Sequence, residues 1–194
     1  MSWIEEINYG KADDRLKKMY DQAVGPGKPI DNILKVHSLR PHTLVGHMAL
    51  YKNVLHHSQN TLPKWYLETL GVYVSYLNKC FYCVEHHFAG LKKAIGDEDK
   101  SQQIFESIVN DLPQSYFEGK FLEGLMYAKT LTLSIHNVNE NDVQKLREEG
   151  FSDGEILEIN QVVSYFNYAN RTVLGLGVNL DGDVLGNSPE SIGQ

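Results

Sequence analysis

Cysteine is scarce in this 194-residue chain: there are two, both in one tetrapeptide, Cys80-Phe81-Tyr82-Cys83. A bridge across two intervening residues closes too small a loop to restrain an unfolded chain, so the pair is no structural staple and asks for a chemical explanation. Long apolar runs are missing as well. Asn, Gly, Ser or His interrupts each uncharged stretch well short of the ~18 residues that a bilayer span requires. The opening MSWIEEINYGKADDR is acidic where a secretory leader is basic. The expectation is a cytoplasmic protein with no membrane partner. Lys and Arg form no stripe, and 18 basic against 25 acidic side chains leave a formal charge of -7, which argues against a nucleic-acid partner. Strand-like alternation, an Asn-Gly or Asp-Gly hairpin, an internal repeat and a central linker are all absent.

What the chain does hold is enough apolar surface for a core, with 42% hydrophobic and 22% charged residues, at a length that suits one domain. The periodicity predicts an all-α chain of about seven helices. They are punctuated by Gly25-Pro26-Gly27, Pro41, Pro63, Gly96 and Pro113, with Asn139 and the Ser152/Glu155 pair as caps. Phe121, Leu125, Ala128 and Leu131 are spaced as one helix face. The organisation reads as a helix and loop over 1–29, a helical domain over 30–180 and an irregular or mobile tail over 181–194.

Around the cysteines, Cys80, Cys83 and His87 are spaced to share a narrow face of one helix, with His86 a quarter turn away. A helix starting near Asn78 puts both sulfurs in its first turns, where free N–H groups and the positive dipole end favour thiolate. Cys83 has His87 one turn later as a proton acceptor. Glu68 is twelve residues before Cys80, so it reaches this face only if the chain breaks at Leu77-Asn78-Lys79. Beside His87 it would complete a relay from thiol to imidazole to carboxylate. Cys80 is expected to be the more exposed sulfur. Two other readings stay open: two small buried apolar residues, or zinc held by Cys80, Cys83 and His87 with His56, His57 or Glu68 as the fourth ligand. No glycine-rich dinucleotide fingerprint occurs, and Val84 rather than His follows Cys83, so neither flavin nor haem is indicated and no cofactor is expected. His37, His42, His47 and His136 stand apart from the motif in sequence.

With its Glu68-x11-Cys80-x2-Cys83-x3-His87 spacing, its Ser38 to Tyr51 stretch and its Asn141 to Leu180 stretch, the chain resembles the alkylhydroperoxidase D-like family, within the carboxymuconolactone decarboxylase-like group, and more closely its peroxidase-related branch. The resemblance spans roughly residues 30 to 180 and implies an all-helical bundle that assembles as a trimer or hexamer. It implies a thiol peroxidase in which Cys83 attacks a hydroperoxide, Cys80 resolves the sulfenic acid, and His87 with Glu68 relays protons. A thioredoxin-like or dihydrolipoyl donor would re-reduce the pair. A thiol-disulfide oxidoreductase or redox sensor, and a non-catalytic metal-holding or oligomeric module, are the alternatives. Tyr82, a possible pocket residue, stands where the best-known members carry a histidine. The Asn167, Asn170 and Arg171 group resembles a family feature. Tyr165, Phe166 and Tyr168 are expected to pack beside it, and Arg171 to pair with a carboxylate or helix end; the alternative reading makes the group a wall of the active-site pocket.

Overall fold

The computed structural model describes residues 2–186. Its helices are α1 (Asp14–Val24), α2 (Asn32–Lys35), α3 (Pro41–Leu55), α4 (Lys64–Leu77), α5 (Phe81–Ile95), α6 (Glu98–Val109), α7 (Gly119–Leu133), α8 (Glu140–Glu148) and α9 (Asp153–Leu176). Among the described residues there are nine α-helices, two more than the approximate count from periodicity, and there is no strand. The chain is an all-α, single-domain bundle. None of these helices is long and apolar enough to cross a membrane.

The helix ends follow the local chemistry. Asp13 caps α1, Asp97 caps α6, and Asn139 and Ser152 form reciprocal capping boxes with Asp142 and Glu155. Gly96 and Gly177 close α5 and α9 in the left-handed conformation. Pro63 is the N-cap of α4, and Thr61 just before it bonds the Glu158 carboxylate of α9 through its backbone N–H at 2.9 Å.

Helix α4 is the axis of the fold. Tyr66 to Ser75 are all buried, as expected of a helix with no solvent face, and α5, α6, α7 and α9 pack around it. On α7, Leu125 and Ala128 are fully buried and Phe121 and Leu131 pack against the same core. Helices α4 and α9 approach closely at Gly71, where an added Cβ would lie 2.3 Å from the Phe166 ring. That approach brings Phe166 edge-on to His87, with ring centroids 4.5 Å apart.

After α9 the chain is irregular through Gly186, yet it is tied down. The Asn32 amide donates to the carbonyls of Asn179 (2.9 Å) and Asp181 (3.0 Å). Residues 187–194 of the expected tail lie outside the described residues.

Candidate active site

The turn between α4 and α5 builds the site. Its backbone closes α4 with two bonds, Lys79 N–H to the Tyr76 carbonyl (2.9 Å) and Cys80 N–H to the Ser75 carbonyl (2.8 Å). Lys79 takes the left-handed conformation at φ 59°. The break therefore falls at Leu77 to Lys79, as the motif requires, and α5 returns along α4. The cysteine helix does not begin at Asn78. That residue caps the end of α4, Cys80 is the N-cap of α5, and Phe81 is its first helical residue. Lys79 in the left-handed region is what forces the later start.

Cys80 is the N-cap of α5, and its Sγ lies 3.0 Å from the Cys83 Sγ, both as free thiols. The expectation that Cys80 is the more exposed sulfur is not met: it is fully buried, packed with Val36, Val173 and Val178. Hydrogen bonding from the Cys83 thiol lowers the Cys80 pKa. Burial opposes that, and the Cys83 N–H and the Asn170 amide add to the lowering. Burial, then the neighbouring Cys80 sulfur, push Cys83 up. The first ionisation of the pair therefore belongs to Cys80.

Asn170 is itself completely buried, accepting from the Asn78 amide (3.0 Å) and donating to Ser75 Oγ (3.0 Å). Tyr165 and Phe166 pack, whereas Tyr168 is partly exposed. Arg171 bonds the Asn167 carbonyl and side-chain oxygens, 2.8 Å each, rather than a carboxylate. The Asn167 side chain satisfies the guanidinium from one turn earlier on the same helix.

The second pair joins across α4 and α5. His87 Nδ1 donates to Glu68 Oε2 at 2.8 Å, and the Glu68 side chain has no solvent exposure. The carboxylate fits because residue 90 is glycine: a Cβ there would meet Glu68 Cδ and both oxygens at 3.0 Å. With Nδ1 committed to Glu68, Nε2 is the ring nitrogen left to act on a neighbour.

Cys83 and His87 open on one cavity of about 80 Å³ between α3, α5 and α9. Its walls include His47, Met48, Tyr51, Tyr165 and Phe166, with Ile33 and Leu34 from α2. Cys80 is not among the lining residues and sits behind Cys83. Tyr82 lines the cavity, and its hydroxyl donates to Asp183 Oδ2 at 2.5 Å. Burial, then the Asp183 hydrogen bond, drive the phenol pKa far up, so Tyr82 is no base.

Three residues escaped the sequence analysis. His47 is distant in sequence but lines the cavity, His86 borders it despite its quarter-turn offset, and Asp183 arrives from beyond α9. The helical repeat signals none of these, because long-range packing sets each position. Among the described residues no three His, Cys, Asp or Glu side chains group as a metal site. His56, one of the residues considered as a fourth zinc ligand, contacts the Lys64 ammonium through Nδ1.

No family model and no curated protein matches the sequence. Solved structures do. An uncharacterised peroxidase-related protein from Silicibacter sp. TM1040 superposes with a TM-score of 0.76 at 26% identity, covering 92% of this chain and 91% of that one. An alkylhydroperoxidase AhpD core, an uncharacterised peroxidase-related protein from Ralstonia eutropha JMP134, gives 0.79 at 24% identity, covering 97% and 98%. The fold is that of the AhpD-like, peroxidase-related proteins. The AhpD-like fold also serves a different chemistry. The debrominase Bmp8, solved with 2,3,4-tribromopyrrole, superposes at 0.71 with 15% identity, covering 94% and 95%. In this chain the AhpD-like arrangement supplies a closely spaced thiol pair beside a buried imidazole–carboxylate couple.

Proposed function

We propose that the protein is a thiol peroxidase that reduces organic hydroperoxides through a Cys80/Cys83 dithiol–disulfide cycle. One juxtaposition carries this reading: Cys83 and His87 face the same cavity, with Cys80 3.0 Å behind the one and Glu68 2.8 Å behind the other. Passing the Cys83 proton to His87 Nε2 leaves Cys83 as the thiolate on the cavity. It attacks the distal oxygen of R–O–OH, forming Cys83–S–OH while the O–O bond breaks and the alkoxide leaves as the alcohol. Cys80 then attacks the sulfenic sulfur, expelling water and closing the disulfide. His87, oriented by Glu68, holds and returns protons at Nε2.

Burial of Cys80 changes how the disulfide is reopened. The reductant, a thioredoxin-like or dihydrolipoyl thiol, reaches Cys83 from the cavity, and Cys80, the more acidic sulfur, is the leaving group. Assembly as a trimer or hexamer and a cytoplasmic location belong to the same proposal.

Hydroperoxide consumption with a dithiol donor tests the reading. Glu68→Gln, which keeps the shape and removes the charge, should slow Cys83 oxidation by about 10²-fold to 10⁴-fold. A Cys83→Ser protein as active as the parent overturns it.

A second reading is favoured by the aromatic cavity walls Tyr51, Tyr165 and Phe166. The same dithiol would reduce a small halogenated aromatic, exchanging Ar–Br for Ar–H as the two thiols become a disulfide and bromide leaves. Bromide release without hydroperoxide turnover distinguishes it.

A further inference from the structure

The cavity has a second imidazole–carboxylate couple that the relay above does not use. His86 lines the cavity beside Cys83, and its Nε2 lies 3.4 Å from Asp183 Oδ2. The Asp183 side chain is wholly buried. It comes from the irregular segment after α9 and is fixed from two other elements. The Asn32 N–H approaches both carboxylate oxygens at 3.0 Å, and the Tyr82 hydroxyl donates at 2.5 Å while accepting from Ile33 N–H at 3.2 Å. Burial alone would push this carboxyl up. The His86 ring 3.4 Å away, and the hydrogen bonds from the Tyr82 hydroxyl and the Asn32 N–H, outweigh burial and hold it below the ordinary range, so it stays an anion.

A fixed buried anion beside an imidazole compensates the positive charge that the ring carries before it releases a proton. The reaction needs such a donor at one step. When a thiolate attacks the distal oxygen of an alkyl hydroperoxide, the departing group is an alkoxide, strongly basic and costly to expel unprotonated.

We infer that His86, oriented by Asp183, is the proton donor to the leaving oxygen. Resting on the peroxidase reading, the step runs as Cys83–S⁻ plus R–O–OH plus protonated His86 to Cys83–S–OH plus R–OH plus neutral His86. The S–O bond forms, the O–O bond breaks, and the proton passes to the alkoxide. Solvent then reprotonates the ring. His86 is the catalytic residue and Asp183 a positioning residue. The two couples divide the work: His87 and Glu68 manage the thiol protons, His86 and Asp183 the oxygen proton.

Two oxidants with different leaving groups test this in single-turnover oxidation of Cys83. tert-Butyl hydroperoxide expels an alkoxide and needs the donor; peracetic acid expels acetate and does not. His86→Gln and Asp183→Asn should each slow oxidation by the alkyl hydroperoxide by about 10²-fold and leave oxidation by the peracid near the parent rate. Equal slowing with both oxidants, or none with either, overturns the inference and spares the peroxidase reading. A parent protein that the alkyl hydroperoxide oxidises no faster than a free thiol overturns both. Asn32 N–H and the Tyr82 hydroxyl hold Asp183 independently of His86, so His86→Gln keeps the test readable if Asp183→Asn does not fold.

Discussion

The Glu68 carboxylate occupies the space where residue 90 would place a side chain: a Cβ on Gly90 would meet the carboxyl carbon and both oxygens at 3.0 Å. The most chemically loaded side chain of α4 is thus admitted by the absence of a side chain on α5. The same carboxylate bonds His87 at 2.8 Å, one turn before Gly90, so the helix that receives it also carries its partner.

Gly90→Ala separates site geometry from stability. In a helix interior, alanine is favoured over glycine by about 1 kcal/mol, which offsets part of the crowding. The variant should remain folded, with thermal unfolding close to the parent. Displacing the carboxylate from His87 should slow hydroperoxide oxidation of Cys83 by about 10²-fold. An alanine protein with full activity would show that the Glu68–His87 bond does not matter to the chemistry.

The thiols should titrate in a set order. The Cys83 sulfur, 3.0 Å away, lowers the Cys80 pKa, while burial raises that of Cys83. Thiolate absorbance followed against pH should show the first thiol of the parent pair ionising below the ordinary range and Cys80→Ser ionising above it. Cys80→Ser should still trap a sulfenic acid at Cys83, visible with a dimedone-type probe. Sulfenic acid forming instead at Cys80 in Cys83→Ser would reverse the roles.

Stability should fall on acidification. Burial holds His47 at about 3, with the neighbouring His37 ring adding to the effect, and burial holds His56 at about 3, helped by Lys64, His87 and Lys52. Unfolded, both return to 6.5, so below that pH the unfolded chain binds protons that the native state refuses. The stabilisation is complete above 6.5 and is lost as pH falls toward 3. At pH 5 the loss is about 2 kcal/mol per histidine. Urea midpoints between pH 7.5 and pH 5 would record it, and His47→Gln should flatten the slope. An unchanged slope would mean that His47 is not held neutral.

Lys79 offers a stabilising change. It is an exposed non-glycine residue at φ 59° at the end of α4, where glycine carries no Cβ penalty. Lys79→Gly should raise the unfolding free energy by up to about 1 kcal/mol without changing turnover, as read from paired denaturation and activity curves. A loss of stability would mean that the lysine side chain contributes more than the turn costs it.

The local features were open to reading before any coordinates. Apolar periodicity marked the helices; Asn139, Ser152, Gly96 and Pro41 marked their ends, since capping and proline restrictions act within a few residues. The shared face of Cys80, Cys83 and His87 was legible from spacing, and so was the need for a break at Leu77 to Lys79 if Glu68 is to reach His87; the role of Glu68 rested on the family resemblance. The start of α5 was misplaced because it turns on whether Lys79 enters the left-handed region, a choice that the closing bonds to Ser75 and Tyr76 make.

By itself the sequence determined the helical class, most helix boundaries and the spacing of the four motif residues, all consequences of interactions over one or two turns. Tertiary structure decided which sulfur faces the cavity, which carboxylate each imidazole meets, and that Asp183, nearly a hundred residues beyond the motif, closes the site. Spacing could not foresee these. Burial of Cys80 depends on Val36, Val173 and Val178 converging from separate elements, and Asp183 is placed by backbone and hydroxyl donors on α2 and α5 that share no sequence period with it.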